Sequence, residues 1–86
     1  MTTTSKDRSY RVREDIANRI GAPLHSDFAP IAYGYQVEVQ FTDGAAGMLV
    51  DTSNAGFRGI EGWFQVADDL FWRSLGDVAD FTARRV

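Results

Sequence analysis

Apolar side chains recur every fourth residue at Val12, Ile16 and Ile20, with Gly21 and Pro23 following. That spacing predicts a short helix from about Ser9, ended by a glycine suited to the left-handed conformation and by a proline that cannot continue it. The alternation Tyr10-Arg-Val-Arg allows a rival in which these residues form a strand and the helix starts near Glu14. Residues 21 to 32 hold Gly21, Pro23, Ser26, Asp27 and Pro30 and follow no period, which marks a loop. Tyr33 to Phe41 then alternates, with Tyr33, Tyr35, Val37, Val39 and Phe41 on one face and Gln36, Glu38 and Gln40 on the other, predicting a half-buried strand. Asp43-Gly44 is a hairpin signal, and Gly47 to Thr52 reads as the returning strand.

Beyond Ser53-Asn-Ala-Gly56, the apolar residues Phe57, Ile60, Trp63, Phe64 and Val66 sit among three glycines. They fit either a third strand or an irregular crossing. From about Val66 the residues Ala67, Leu70, Phe71, Leu75 and Val78 share a helical arc, with Asp69, Arg73, Asp77 and Asp80 opposite, which predicts a helix. Gly76 offers a point at which it splits, with Asp77 capping a second short helix. The expected fold class is α+β: an N-terminal helix, a two- or three-stranded antiparallel sheet and one or two C-terminal helices packed on it. Residues 1–7 are polar and read as a mobile tail, leaving residues 8–86 as one domain.

Composition adds constraints on chemistry. The chain has no cysteine, which excludes a disulfide framework, a thiolate metal site and a thiol nucleophile and is compatible with a reducing cytoplasm. No run of about 18 apolar residues occurs, so a soluble, cytoplasmic protein without a membrane role is expected. The charge is uneven: Asp27 to Ala83 carries nine acids and two arginines, a net of −7, against −3 for the whole chain. Lys6, Arg8, Arg11, Arg13 and Arg19 precede that block, and Arg84 and Arg85 follow it. A field of one sign repels nucleic acid and favours a basic partner.

Catalytic signals are sparse. His25 is the one side chain with an ordinary pKa near neutrality, and adjacency to Ser26 and Asp27 does not make a triad. Asp68, Asp69, Asp77 and Asp80 lack the alternating spacing of a calcium loop, so no metal and no cofactor is expected; Asp69–Arg73 and Arg73–Asp77 are read as pairs on a solvated helix face. Gly56-Phe-Arg-Gly59 has the form of a nucleotide-clamping GXXG loop, but acids surround it and it is read as a turn. The arginines of the first helix are interrupted by Glu14 and Asp15 and could instead dock on the acidic block of a second copy, which leaves room for a homodimer. Trp72 projects off the expected helical core face and is a candidate interface anchor.

Phe41-Thr-Asp-Gly44, Gly47, Val50-Asp-Thr-Ser53, Gly59 and Asp69-Leu-Phe71 resemble a family of small bacterial domains with the pattern strand, F-[ST]-D-G, strand, V-D-x-S. That resemblance covers about thirty residues and implies a partner or antitoxin-like factor rather than an enzyme. In type, an acidic, aromatic-rich α+β domain of this size is also similar to the anti-CRISPR inhibitors that phages encode against host defence. That likeness implies an acidic surface, here Glu61, Asp68, Asp69, Trp72, Asp77 and Asp80, occupying the basic surface of a larger nucleic-acid-handling protein or complex. An antitoxin or immunity protein, a structural homo-oligomer and a small enzyme using His25 are the alternatives.

Overall fold

The structure, a computed structural model, describes residues 5–86. Helix α1 spans Ser5–Ile20, and five strands follow: β1 Tyr35–Phe41, β2 Ala46–Asn54, β3 Ile60–Val66, β4 Asp69–Ser74 and β5 Val78–Arg85. Single 3-10 turns occupy Pro30–Tyr33, Gly56–Arg58 and Leu75–Asp77. All pairings are antiparallel and the spatial order is β4-β3-β2-β1-β5. The first four strands form a meander, and β5 returns to the far side of β1.

The longer helix is the one that forms. Residues 5–20 hold neither glycine nor proline, and Gly21 ends the run at φ 78°. The Ala22 N–H then closes on the Ala17 carbonyl at 2.9 Å, which satisfies one of the last free carbonyls. The buried stripe is wider than the apolar spacing indicates, since Ser9, Arg13 and Ala17 join Ile16 and Ile20. Ser9 is buried because its hydroxyl accepts the Ile60 N–H at 2.8 Å, tying α1 to the start of β3. Of the expected tail at residues 1–7, residues 1–4 lie outside the described residues and Ser5 to Asp7 form the first helical turn.

Ile16, Ala17 and Ile20 pack with Val37, Val39, Phe41, Leu49, Ile60, Phe64, Leu75 and Val78 in one core. Full burial of such aliphatic and aromatic side chains is worth roughly 1.5 to 3 kcal/mol each. The sheet is strongly coiled. Laid flat, its two edge strands would stand about 19 Å apart, while the four steps from Ser74 to Val78 reach at most about 14 Å. Coiling also brings the Phe41 and Phe64 rings edge to face, with centroids 4.9 Å apart. In the linking turn a Cβ at Gly76 would overlap the Ser5 carbonyl oxygen, so glycine lets the turn press against the first residue of α1. The loop after α1 is pinned where the Thr52 hydroxyl accepts the Phe28 N–H at 3.0 Å.

The expected C-terminal helices do not exist, and the sheet has five strands rather than two or three. The apolar arc from Ala67 to Val78 is a coincidence of spacing. A two-residue turn at Ala67-Asp68, with Ala67 at φ 54°, breaks the run at its start. Phe71-Trp72 and Phe81-Thr82 are then β-favouring residues that pair along β3 and β1. The region from Ile60 to Val66, left open between strand and crossing, is strand β3.

Candidate functional site

Consecutive hairpins alternate ends, so the β1–β2 turn and the β3–β4 turn lie at the same rim of the sheet. β5 begins there too, because Val78 pairs with Phe41 and the Thr42 N–H donates to the Asp77 carbonyl at 2.9 Å. This topology collects Asp43, Asp68, Asp69, Asp77 and Asp80 at one rim. Arg73 is the basic residue placed among them. Its Nη2 lies 2.9 Å from Asp43 Oδ2, its Nε lies 3.1 Å from Asp77 Oδ2, and its guanidinium sits 4.2 Å from the Phe41 ring centre.

The Ala45 N–H and then the Arg73 guanidinium hold the Asp43 carboxyl below its ordinary value. Burial works to lower the Arg73 pKa, and the hydrogen bonds it donates to Asp43 and Asp77 outweigh that, so the net shift is upward. Asp68, Asp69 and Asp80 are exposed, and no ion pair neutralises them among the described residues. Charge is thus polarised along the strands. The opposite end carries Arg19 and Arg85, both over the Tyr35 ring, together with Arg58 and Arg84.

The face of the sheet turned away from α1 adjoins the acidic rim. Side chains alternate across a strand, so cross-strand neighbours on this outer face form rows. One row runs Leu70, Gln65, Met48, Glu38, Thr82, and the next begins Trp72, Trp63, Asp51. The β4 and β3 half is therefore apolar and the β1 and β5 half polar. A groove of about 510 Å³ crosses this face, lined by Glu38, Gln40, Met48, Gln65, Asp80 and Thr82 among others.

Of the residues singled out from sequence, Asp68, Asp69, Asp77 and Asp80 do share one region, though strand ends and not a helix stripe bring them there. Trp72 is 37% exposed and packs against Trp63, ring centres 4.7 Å apart at 67°. Glu61 departs from expectation: it lies near the basic end, is 9% exposed and stands 2.9 Å from Arg58 Nη2, so it is not part of the acidic rim. The Arg73–Asp77 pair forms across the end of β4 and its 3-10 turn, whereas the second partner of Arg73 is Asp43 and not Asp69. In the sequence Asp43 reads only as a turn residue, although its Asp-Gly pair already fixes its place in the hairpin.

His25, Ser26 and Asp27 are exposed, and among the described residues their side chains make no hydrogen bond or ion pair. Among the described residues no three His, Asp or Glu side chains converge to hold a metal ion. Arg58 of the GXXG turn is engaged by Glu61. Arg8 and Arg19 donate to the Val78 and Ala83 carbonyls at 3.0 and 3.5 Å, so part of the arginine face serves the chain's own β5. Among the described residues no helix is long and apolar enough to cross a membrane. Comparison with family models, curated proteins and solved structures returns no match.

Proposed function

We propose that this chain is a non-enzymatic, cytoplasmic binding protein that offers its acidic rim to a basic surface of a larger nucleic-acid-handling protein. The observation that carries the reading is the collection of five aspartates at one rim against the single guanidinium of Arg73. Asp68, Asp69 and Asp80 remain exposed to a partner, and Trp72 on the adjoining face supplies a large aromatic surface of the kind that anchors interfaces. A rim of one sign raises the encounter rate with an opposite patch, repels competing phosphate, and loses strength as salt shortens the Debye length. Inhibition then follows from occupancy. A basic surface covered by aspartates cannot hold a phosphodiester backbone.

The test is charge reversal at two of the three exposed aspartates that hold no ion pair in the fold, Asp68→Lys with Asp80→Lys. An arginine-rich peptide and a DNA duplex serve as probes. The wild-type chain is expected to bind the peptide with an affinity that falls as salt rises, and to leave the duplex free. The double variant should bind the peptide more slowly and with a shallower salt dependence. Binding that is unchanged in rate and in salt dependence would remove the reading.

A further inference from the structure

Strand β2 carries one residue more than its pairing with β3 needs. Leu49 lies across from Phe64, so an unbroken register would set Val50 across from Trp63, yet the pairing shifts there and Asp51 takes that place. Leu49 and Thr52 are both buried, so the two residues between them fall together on the outer face, as in a bulge. The shift thus sets a carboxylate beside Trp63, whose neighbour on the other side is Trp72. The two indole planes meet at 67°, and the rings stay 38% and 37% exposed, which leaves an open aromatic corner. Asp51 is half-buried and holds no ion pair among the described residues. Glu61, on the same face of β3 as Trp63, adds a second, buried carboxylate. Its Oε1 lacks an aligned hydrogen-bond donor, although Arg58 Nη2 lies 2.9 Å away. Aromatic faces attract cations, tryptophan most strongly, and a carboxylate in reach adds a charge-assisted hydrogen bond.

We propose that this corner seats one arginine side chain of the basic partner, its guanidinium lying on the indoles and donating to Asp51. The proposal rests on the acidic-rim reading for its partner and names the group of that partner which the chain holds most firmly. Arginine is selected over lysine by shape. A planar guanidinium stacks on a ring and still donates within its own plane to a neighbouring carboxylate, which an ammonium group does not do. The fold already holds one arginine in this manner: Arg73 sits 4.2 Å over the Phe41 ring centre while it donates to Asp43 at 2.9 Å and to Asp77 at 3.1 Å. Charge and distance also fit the rim. Trp72 and Asp69 lie on the same strand, about 10 Å apart at the usual rise per residue, so one basic surface meets both. The rim then steers the approach, and the corner sets how long the partner stays.

Trp63 and Trp72 are the two tryptophans of the chain, so the two indole N–H resonances report on this corner alone. The probes are an arginine-rich peptide and the same peptide with lysine at every arginine. The arginine peptide should shift both indole resonances and bind about three- to tenfold tighter than the lysine peptide. Asp51→Asn keeps the size of the side chain and should remove most of that preference through faster dissociation, with the association rate little changed. Trp72→Leu, at the exposed edge, should weaken the arginine peptide about threefold or more and the lysine peptide less. The rim variant, Asp68→Lys with Asp80→Lys, should slow association of both peptides and leave the arginine preference intact. Indole resonances that do not move, equal affinity for the two peptides, or a preference untouched by Asp51→Asn each overturns the proposal. Salt-dependent binding that the rim variant slows would then leave the rim reading standing. An arginine preference that Asp51→Asn removes, in a chain whose binding the rim variant does not alter, supports the corner and removes the rim reading. Should Trp72→Leu fail to fold, the Asp51→Asn comparison decides alone.

Discussion

The two margins of the sheet meet water in opposite ways. Along β5, α1 lies close enough for Arg8 to donate to the Val78 carbonyl at 3.0 Å and Arg19 to the Ala83 carbonyl at 3.5 Å, so two acceptors of that edge are occupied by side chains. Along β4 nothing of the kind occurs among the described residues, and Leu70, Phe71 and Trp72 face solvent. Exposed edges invite pairing with other strands, and charge or a covering helix is the usual protection. One margin has both forms of protection and the other has only the charges near its two ends, Asp69 and Arg73. A difference of that size within one small domain teaches that the covered margin serves the fold, while the open one leaves an apolar strand against water.

The contrast is broken most severely at the helix that covers β5. Ile16→Ala removes a fully buried side chain from the contact between α1 and the sheet and should destabilise by about 2 to 5 kcal/mol, read from urea unfolding. Leu70→Ala, an equal truncation on the open margin, should change monomer stability by no more than about 0.5 kcal/mol. Similar losses at both sites would mean that the two margins do not differ. Next in size is Ser9→Ala, which leaves the Ile60 N–H buried without its acceptor and should cost about 1 to 3 kcal/mol by the same measurement.

A smaller effect is expected from Arg8→Met, which retains much of the apolar stem and uncovers the Val78 carbonyl. A loss of about 1 kcal/mol is expected, with faster amide exchange along β5 and none along β4. The smallest effect is a pH dependence. The folded-state pKa of Asp43 is lowered, so its contribution is present above the unfolded value and disappears as pH falls below about 4. Asp43→Asn should therefore show a flatter acid limb in thermal unfolding than the wild type, with the difference confined to that limb. An identical acid limb would show that the Asp43 carboxylate, held by the Ala45 N–H and by Arg73, adds nothing to the fold.

Much of the first half was legible in the sequence, and the reason is local. Val12, Ile16 and Ile20 with Gly21 specify a helix and its end, and the alternation from Tyr33 to Phe41 with Asp43-Gly44 specifies a hairpin without help from distant residues, although Tyr33 itself closes a 3-10 turn and the strand begins at Tyr35. The second half was not legible, because its signals are either non-local or mimic another period. Ala67-Asp68 makes a tight turn without the glycine that normally announces one. Leu70, Phe71, Leu75 and Val78 satisfy a helical spacing only because a 3-10 turn interrupts two strands. The acidic cluster was found for the wrong reason. Asp68, Asp69, Asp77 and Asp80 were grouped by helical period, whereas the hairpin ends assemble them and add Asp43. Glu61 was lost because its neighbour Arg58, three residues earlier, turns it into an internal ion pair.

The pairing of β1 with β5 has a consequence for the order in which the chain is made. Tyr35 lies opposite Arg85 and Val37 opposite Ala83, so β1, near the middle of the sheet, receives its second neighbour from the last of the five strands to be synthesised. During synthesis the meander of β1 to β4 can form as soon as its turns emerge, but β1 stays a bare margin until residues 78 to 85 follow. Its exposed face at that stage is Gln36, Glu38 and Gln40, polar residues that resist sticking to other chains. A nascent chain arrested before β5 should therefore remain accessible to protease at β1 and become protected in a single late step.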